Sequence, residues 1–177
     1  MDPREEVRLE PDPVWTDRYE RERERIEAVS DDGLLGVFHV GSTALPGVPG
    51  KPELDVLAVY EAYDPMRAAA EAIAGDSFEL STDDGECIVL SRWKNGRAVF
   101  LKLHVQGDER VENQLLFREY LRENADARRE YETTKREAAA ANREDPRAYI
   151  EAKTETVASL LADAREAGYT ERLPLFV

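Results

Sequence analysis

The chain has 177 residues, 42% hydrophobic and 35% charged, enough for one ordinary core beneath a well-solvated surface. A formal net charge of −14 sets that surface against polyanions and excludes a broad electrostatic grip on DNA, RNA or an anionic membrane, so any nucleotide contact must be local. Only Lys51, Lys94, Lys102, Lys135 and Lys153 are lysines among 24 Lys and Arg residues, and this scarcity beside excess carboxylates suits a protein of a very salty cytoplasm. The single cysteine, Cys87, has no internal disulfide partner. The N-terminus lacks a basic region followed by an apolar one, and no stretch reaches membrane-spanning length, so a cytoplasmic protein without membrane contact is expected.

In chain order, Trp15, Tyr19, Ile26 and Val29 fall on one helical stripe behind an entry at Pro11 and Pro13, and Asp31-Asp32-Gly33 ends that helix. Leu35 to Val40 reads as a short apolar strand, the Gly/Pro-rich run from Gly41 to Pro52 as a structured loop, and Leu54 to Tyr60 as a second strand. Asp64-Pro65 predicts an N-cap and first helical residue for a crossover helix over Met66 to Ala74, stopped by Gly75. Phe78 to Leu80, Glu86 to Trp93 and Arg97 to Val105 read as antiparallel strands, the last two joined by the hairpin signal Asn95-Gly96. Beyond Asp108 the pattern turns helical, with two helices through Leu115 to Leu121 and Tyr131 to Ala141, and a third capped by Asp145-Pro146 and running to about Gly168. The whole chain, residues 1–177, reads as one domain with a core over about 12–106 and C-terminal helices over about 108–168.

Chemistry concentrates where the first strand meets Gly41-Ser42 and the second begins Glu53-Leu54-Asp55-Val56. A glycine at a strand end lets backbone N–H groups approach an anion, and Ser42 adds a hydroxyl; Thr43 follows it. Glu53 and Asp55 are two apart on a strand, so both side chains leave one face, roughly 6.5–7 Å apart along the chain. Two carboxylates so placed are candidate catalytic residues and ligands for Mg²⁺ or Mn²⁺, which prefers oxygen donors and completes its shell with water and substrate phosphates. Taken singly, Gly-Ser is a turn and Glu-x-Asp a solvated strand face.

In this order the pieces match the nucleotidyltransferase pattern of hydrophobic-Gly-Ser followed by acid-hydrophobic-acid-hydrophobic. His39-Val40-Gly41-Ser42-Thr43-Ala44-Leu45-Pro46-Gly47, then Lys51-Pro52 and Asp55-Val56, closely resembles the GrpB (UPF0157) family, and the resemblance continues through Leu101 to Val105, Phe117 to Arg122, Tyr131 with Lys135, and Tyr149 with Lys153. It implies an α/β (α+β) nucleotidyltransferase-like mixed sheet with flanking helices and a C-terminal helical region. It supplies no reaction, although some relatives resemble the extra domain fused to dephospho-coenzyme A kinases. Active nucleotidyltransferases usually add a third acid on a later strand, where this chain offers Lys102 and His104.

Phe100, Lys102 and His104 alternate with Val99, Leu101, Leu103 and Val105, so Lys102 and His104 share the acidic face if that strand neighbours the second one. His104 then binds metal, orients a phosphate or acts as a general base, or else is a structural partner of Glu53 or Asp55. His39 fits a structural or substrate-orienting role. Lys51, pushed to an extended backbone by Pro52, is placed for a phosphate contact, whereas Gly47 to Lys51 lacks the first glycine and the final hydroxyl of a P-loop. Tyr131/Lys135 and Tyr149/Lys153 each share a helix face, and only Tyr149 and Lys153 join the candidate substrate-binding set. The expected function is metal-dependent transfer of a nucleotidyl or phosphoryl group from an NTP to an acceptor that the sequence does not name. The alternatives are a catalytically silent nucleotide- or cofactor-binding accessory domain linked to coenzyme A, and a structural partner-binding protein.

Overall fold

The computed structural model describes residues 7–10, 14–75 and 77–177; Pro11 and Pro13 lie outside them. Helix α1 (Trp15–Val29) buries Trp15, Glu22 and Ile26, while Val29 is exposed. The buried stripe continues from Ile26 to Ser30 rather than Val29, because Ser30 Oγ donates to the Ile26 carbonyl and meets Tyr60 Oη at 2.8 Å. Glu22 is tolerated inside because Arg92 and Arg25 pair with it at 2.5 and 3.0 Å.

Strand β1 (Leu34–Val40) leads through the Gly41–Pro52 loop to β2 (Glu53–Tyr60), and α2 (Tyr63–Ala74) crosses to β3 (Glu79–Asp83), β4 (Cys87–Lys94) and β5 (Arg97–Val105). The five strands run in the order β1-β2-β5-β4-β3, with β2 and β5 parallel and every other pair antiparallel. Asn95 and Gly96 both take positive φ, 53° and 72°, as a two-residue hairpin turn requires. Helix α2 starts earlier than Asp64-Pro65 signalled: Ala62 is its N-cap and no side chain caps it, so Asp64 sits within the first turn. The expected Phe78 to Leu80 strand is shifted to Glu79–Asp83, an exposed edge, while Phe78 turns into the core.

Alternation in β2 and β5 divides the molecule. Leu54, Val56, Ala58 and Tyr60, with Leu101 and Leu103, face α1 and α2 in the main core. Leu57 and Val59 face α3 (Glu109–Glu123) through Val111 and Leu115. Helices α4 (Ala125–Ala141) and α5 (Pro146–Glu166) pack on that same side, where Leu121, Ala127, Tyr131 and Leu160 close over Leu45 and Val48 of the loop. Asp145 caps α5, as the sequence implied, and Asp108 caps α3. Among the described residues no helix is long and apolar enough to cross a membrane.

Leu101 is fully buried in β5 between the two central neighbours β2 and β4. Leu101→Ala is expected to lower unfolding stability by about 2–5 kcal/mol. Urea unfolding would read this as a lower midpoint at unchanged slope, and a loss below about 1 kcal/mol would contradict the central place of this side chain.

Candidate functional site

The site begins with a backbone constraint. Val40 pairs with Asp55, and Gly41 leaves the strand at φ 75° and ψ −172°. A Cβ on Gly41 would stand 2.6 Å from Asp55 Oδ2, so only glycine permits the loop to turn this tightly against the carboxylate. Ser42 then opens a short 3-10 turn, and its Oγ accepts from Lys135 Nζ and lies 3.4 Å from Tyr131 Oη. Lys135 Nζ also donates to the Pro49 carbonyl at 2.7 Å, so one ammonium from α4 ties both ends of the loop.

Around this corner lies a cavity of about 230 Å³, lined by Gly41, Ser42, Glu53, Asp55, Tyr131 and Tyr149 together with Lys51, Lys102, Lys135 and Lys153. Four of the five lysines therefore converge on one small space, in a chain whose net charge is −14. Lys51 pairs with Glu53 and Lys102 with Asp55, each at 2.9 Å. Lys153 Nζ stands over the Tyr149 ring at 4.1 Å, and Lys135 over the Tyr131 ring at 5.3 Å. Tyr149 is fully buried, and its hydroxyl has no hydrogen-bond partner among the described residues.

Burial, followed by repulsion from Lys153 and Lys51, pulls the Lys135 pKa from 10.5 down to about 7 against the opposing pull of Asp55 and Glu53. Lys153 falls to about 8 by burial and by the charge of Lys51. Burial pushes the hydroxyls of Tyr131 and Tyr149 upward, so both remain protonated. These lysines repel one another in a partly dry space, which is what an anion would relieve.

A family model described as GrpB protein matches residues 7–163. The chain belongs to the GrpB family. A UPF0157 protein of Pseudomonas aeruginosa is 33% identical over 164 residues, covering 90% of this chain and 67% of that protein. The UPF0157 protein YqkA of Bacillus subtilis is 25% identical over 153 residues, 85% of this chain, but the chain spans only 45% of its length. A dephospho-CoA kinase of Mycolicibacterium paratuberculosis is 38% identical over 63 residues, 36% of this chain and 16% of that protein. Among solved structures, the GrpB protein of Enterococcus faecalis superposes with a TM-score of 0.81 at 22% identity, covering 92% of this chain and 99% of that one. The Cid1 poly(U) polymerase with MgGTP bound gives 0.53 at 14% identity, covering 75% of this chain and 44% of that one. These likenesses show a nucleotidyltransferase-like fold.

In this GrpB chain the sheet, the Gly41–Pro52 loop and helix α5 bring Gly41, Ser42, Lys51, Glu53, Asp55, Lys102, Tyr149 and Lys153 to one cavity, but three other candidates lie outside it. His39 pairs with Val56 and so faces the opposite side of the sheet. There its Nε2 meets Thr43 Oγ1 at 2.8 Å and its ring stacks on Tyr19 at 5.0 Å, with burial lowering its pKa to about 4. Thr43 goes with it. Both line a separate cavity beside Arg122, not the one that holds Asp55.

His104 shares the face of Asp55 but pairs with Val59, whereas Asp55 pairs with Phe100. Four residues of strand separate the two positions, roughly 13 Å. Its Nδ1 is bonded to Asp108 at 2.8 Å and its Nε2 lies 3.4 Å from Cys87 Sγ, so neither a catalytic role at this site nor pairing with Glu53 or Asp55 survives. Lys135 and Tyr131 are the residues missed. Their four-residue spacing repeats that of Tyr149 and Lys153, and the shortage of lysine marks every one of them as unusual.

The donors fit a resident divalent cation poorly. Glu53 and Asp55 each already hold an ammonium, and no group of three or more His, Cys, Asp or Glu among the described residues could hold a metal ion.

Because folding lowers the Lys135 pKa from 10.5 to about 7, the unfolded chain binds a proton between those values that the folded chain does not. Stability therefore rises with pH across that window, by at most about 1.4 kcal/mol per pH unit from this group. Lys135→Met should flatten the rise measured by urea unfolding between about pH 7 and 9.5, leaving the smaller part due to Lys153. An undiminished slope in the variant would remove Lys135 as its source.

Proposed function

We propose that this GrpB-family protein binds the phosphates of a nucleotide in the lysine-lined cavity, as a nucleotide-binding domain of nucleotidyltransferase-like fold. The observation that carries this reading is the convergence of Lys51, Lys102, Lys135 and Lys153 on the Gly41-Ser42 corner. Gly41 frees backbone at the corner, and Ser42 offers a hydroxyl. Lys135 and Lys153, which have no carboxylate partner among the described residues, supply positive charge deep in the cavity. The Tyr149 and Tyr131 rings give apolar surface beside it, with Ile150 at the rim. A nucleoside triphosphate, with its chain of phosphates and flat base, has this combination of charge and apolar area.

A second reading is favoured by one observation, that Glu53 and Asp55 open into the same cavity as the anion corner. It is transfer of a nucleotidyl or phosphoryl group from an NTP with Mg²⁺ or Mn²⁺ on those two carboxylates, and it requires Lys51 and Lys102 to release them. Coenzyme A belongs in the ligand panel because its adenosine 3′-phosphate 5′-diphosphate presents similar groups and because of the short match to a dephospho-CoA kinase.

Titration calorimetry with ATP, GTP, CTP, UTP and coenzyme A, at low and at multimolar salt, tests the reading; both regimes matter for a composition suited to a salty cytoplasm. Lys153→Ala and Lys51→Ala should each weaken binding about tenfold to a hundredfold, the range of a charged hydrogen bond. Lys94→Ala, the one lysine outside the cavity, should leave it within about twofold. Failure of the intact protein to bind any of these ligands would sink the proposal. Release of pyrophosphate or phosphate from an NTP that is lost in Asp55→Asn, with binding retained, would establish the transfer reading instead.

A further inference from the structure

We propose that Lys102 and Lys51 take the place of divalent cations here, so that the cavity accepts its phosphate ligand without any metal; this rests on the phosphate-binding reading above. The sheet register carries the argument. Lys102 stands on β5 beside Leu57 and reaches back along the shared face to Asp55 at 2.9 Å. It thus approaches the acid pair from the neighbouring strand, where a third carboxylate would have to stand to complete a cation cage. Here that neighbour is itself a cation. Glu53, the other acid, is held by Lys51 at the same distance.

The two acids are therefore neutralised one for one by side chains of the chain itself. A divalent cation entering between them would have to displace both ammoniums, or else sit within a few ångströms of two positive charges. It would gain those two carboxylates only by breaking both of the ion pairs that now neutralise them. Lys135 and Lys153 remain without acidic partners among the described residues. They provide the charge that magnesium ordinarily contributes to triphosphate binding, fixed on helices α4 and α5 rather than carried in by the ligand. On this arrangement Glu53 and Asp55 orient Lys51 and Lys102 towards the phosphates, and are positioning residues rather than metal ligands. The ligand class is a nucleoside polyphosphate or related phosphate ester in its metal-free form.

The test is calorimetry of the full chain with ATP and with inorganic tripolyphosphate, each in EDTA and in excess Mg²⁺. Binding in EDTA at least as tight as in Mg²⁺ is expected, because magnesium masks the phosphates that the lysines seek. Binding that vanishes in EDTA and returns with Mg²⁺ overturns the inference while leaving phosphate binding standing. Binding of tripolyphosphate but not of ATP in EDTA retires the nucleotide and keeps the metal-free site, and no binding of either probe in either buffer removes both. Direct Mn²⁺ binding, followed by electron paramagnetic resonance, gives an independent readout. The unsubstituted protein should show no site at submillimolar Mn²⁺, whereas Lys102→Asp, which supplies the third carboxylate, should gain one. Should Lys102→Asp not fold, Lys102→Met/Asp55→Asn removes the ion pair together and should weaken metal-free tripolyphosphate about tenfold or more; unchanged affinity in that double variant would overturn the role given to Lys102.

Discussion

The pairing of Val40 with Asp55 governs the site. It sets the end of β1 against the start of β2, so that Gly41 turns within contact of the Asp55 carboxylate and Ser42 faces the same cavity. Strand periodicity makes this an all-or-none arrangement, because a slip of one residue would send Asp55 to the face where His39 and Val56 now lie. The cost of that slip is not borne at the site. It would drive the fully buried Leu54, Val56 and Ala58 out of the main core, so hydrophobic burial on one face fixes the geometry of polar groups on the other.

The loop between those strands is held from the opposite layer. Lys135, 1% exposed, spans from α4 to Ser42 and to the Pro49 carbonyl, while Leu45 and Val48 pack beneath Leu121, Tyr131 and Leu160. Burying an ammonium is costly, and its lowered pKa records that cost. Two hydrogen bonds and the nearby carboxylates offset only part of it. The anion corner and the C-terminal helices consequently depend on each other: removing the helices would free the loop, and opening the loop would strand a charge inside the protein. An anion held by these lysines, as proposed, would favour the closed loop only through contacts that an open loop lacks, which is the only way a ligand can shift such an equilibrium.

Local signals in the sequence carried the fold and about half of the site. Asn95-Gly96, Asp145-Pro146 and the run from Val40 to Val56 each act through near neighbours, and each forms what its chemistry implies. Period-two alternation also placed Lys102 correctly beside Asp55. It failed for His104 because alternation identifies a face and not a row, and the parallel register with β2 is set by the crossover through α2 and the β3–β4 hairpin. His39 adjoins the Gly-Ser corner in sequence, yet the same pleat that directs Asp55 into the cavity directs His39 away from it. Lys135 and Tyr131 were seen as a pair on one helix face but left out of the site for a different reason: where α4 lies over the sheet is a property of tertiary packing, and a Tyr-x-x-x-Lys pair on a helix is ordinary without it. The early start of α2 shows local preference yielding in the same way, since Asp64-Pro65 tolerates the first turn as well as the cap.

The contrast between the whole surface and this one cavity limits what can enter. At physiological ionic strength, fields from exposed charges fade over about 8 Å, and in strong salt over about 3 Å. A long polyanion such as RNA would be opposed by the net charge of −14, with only one short segment able to reach the cavity lysines. A compact phosphate ester escapes most of that repulsion because its charge sits inside the cavity. There Lys135 and Lys153 stand beside the Lys51–Glu53 and Lys102–Asp55 pairs, and partial burial shields them from salt. Scarcity of lysine elsewhere sharpens the difference, since arginines on the outer helix faces are largely committed to neighbouring glutamates, as Arg67 is to Glu71, Arg136 to Glu132 and Arg147 to Glu151. On the proposed phosphate-binding reading, selectivity for a small ligand over a polymer would arise from where the charges are placed, with no need for the protein as a whole to attract anions.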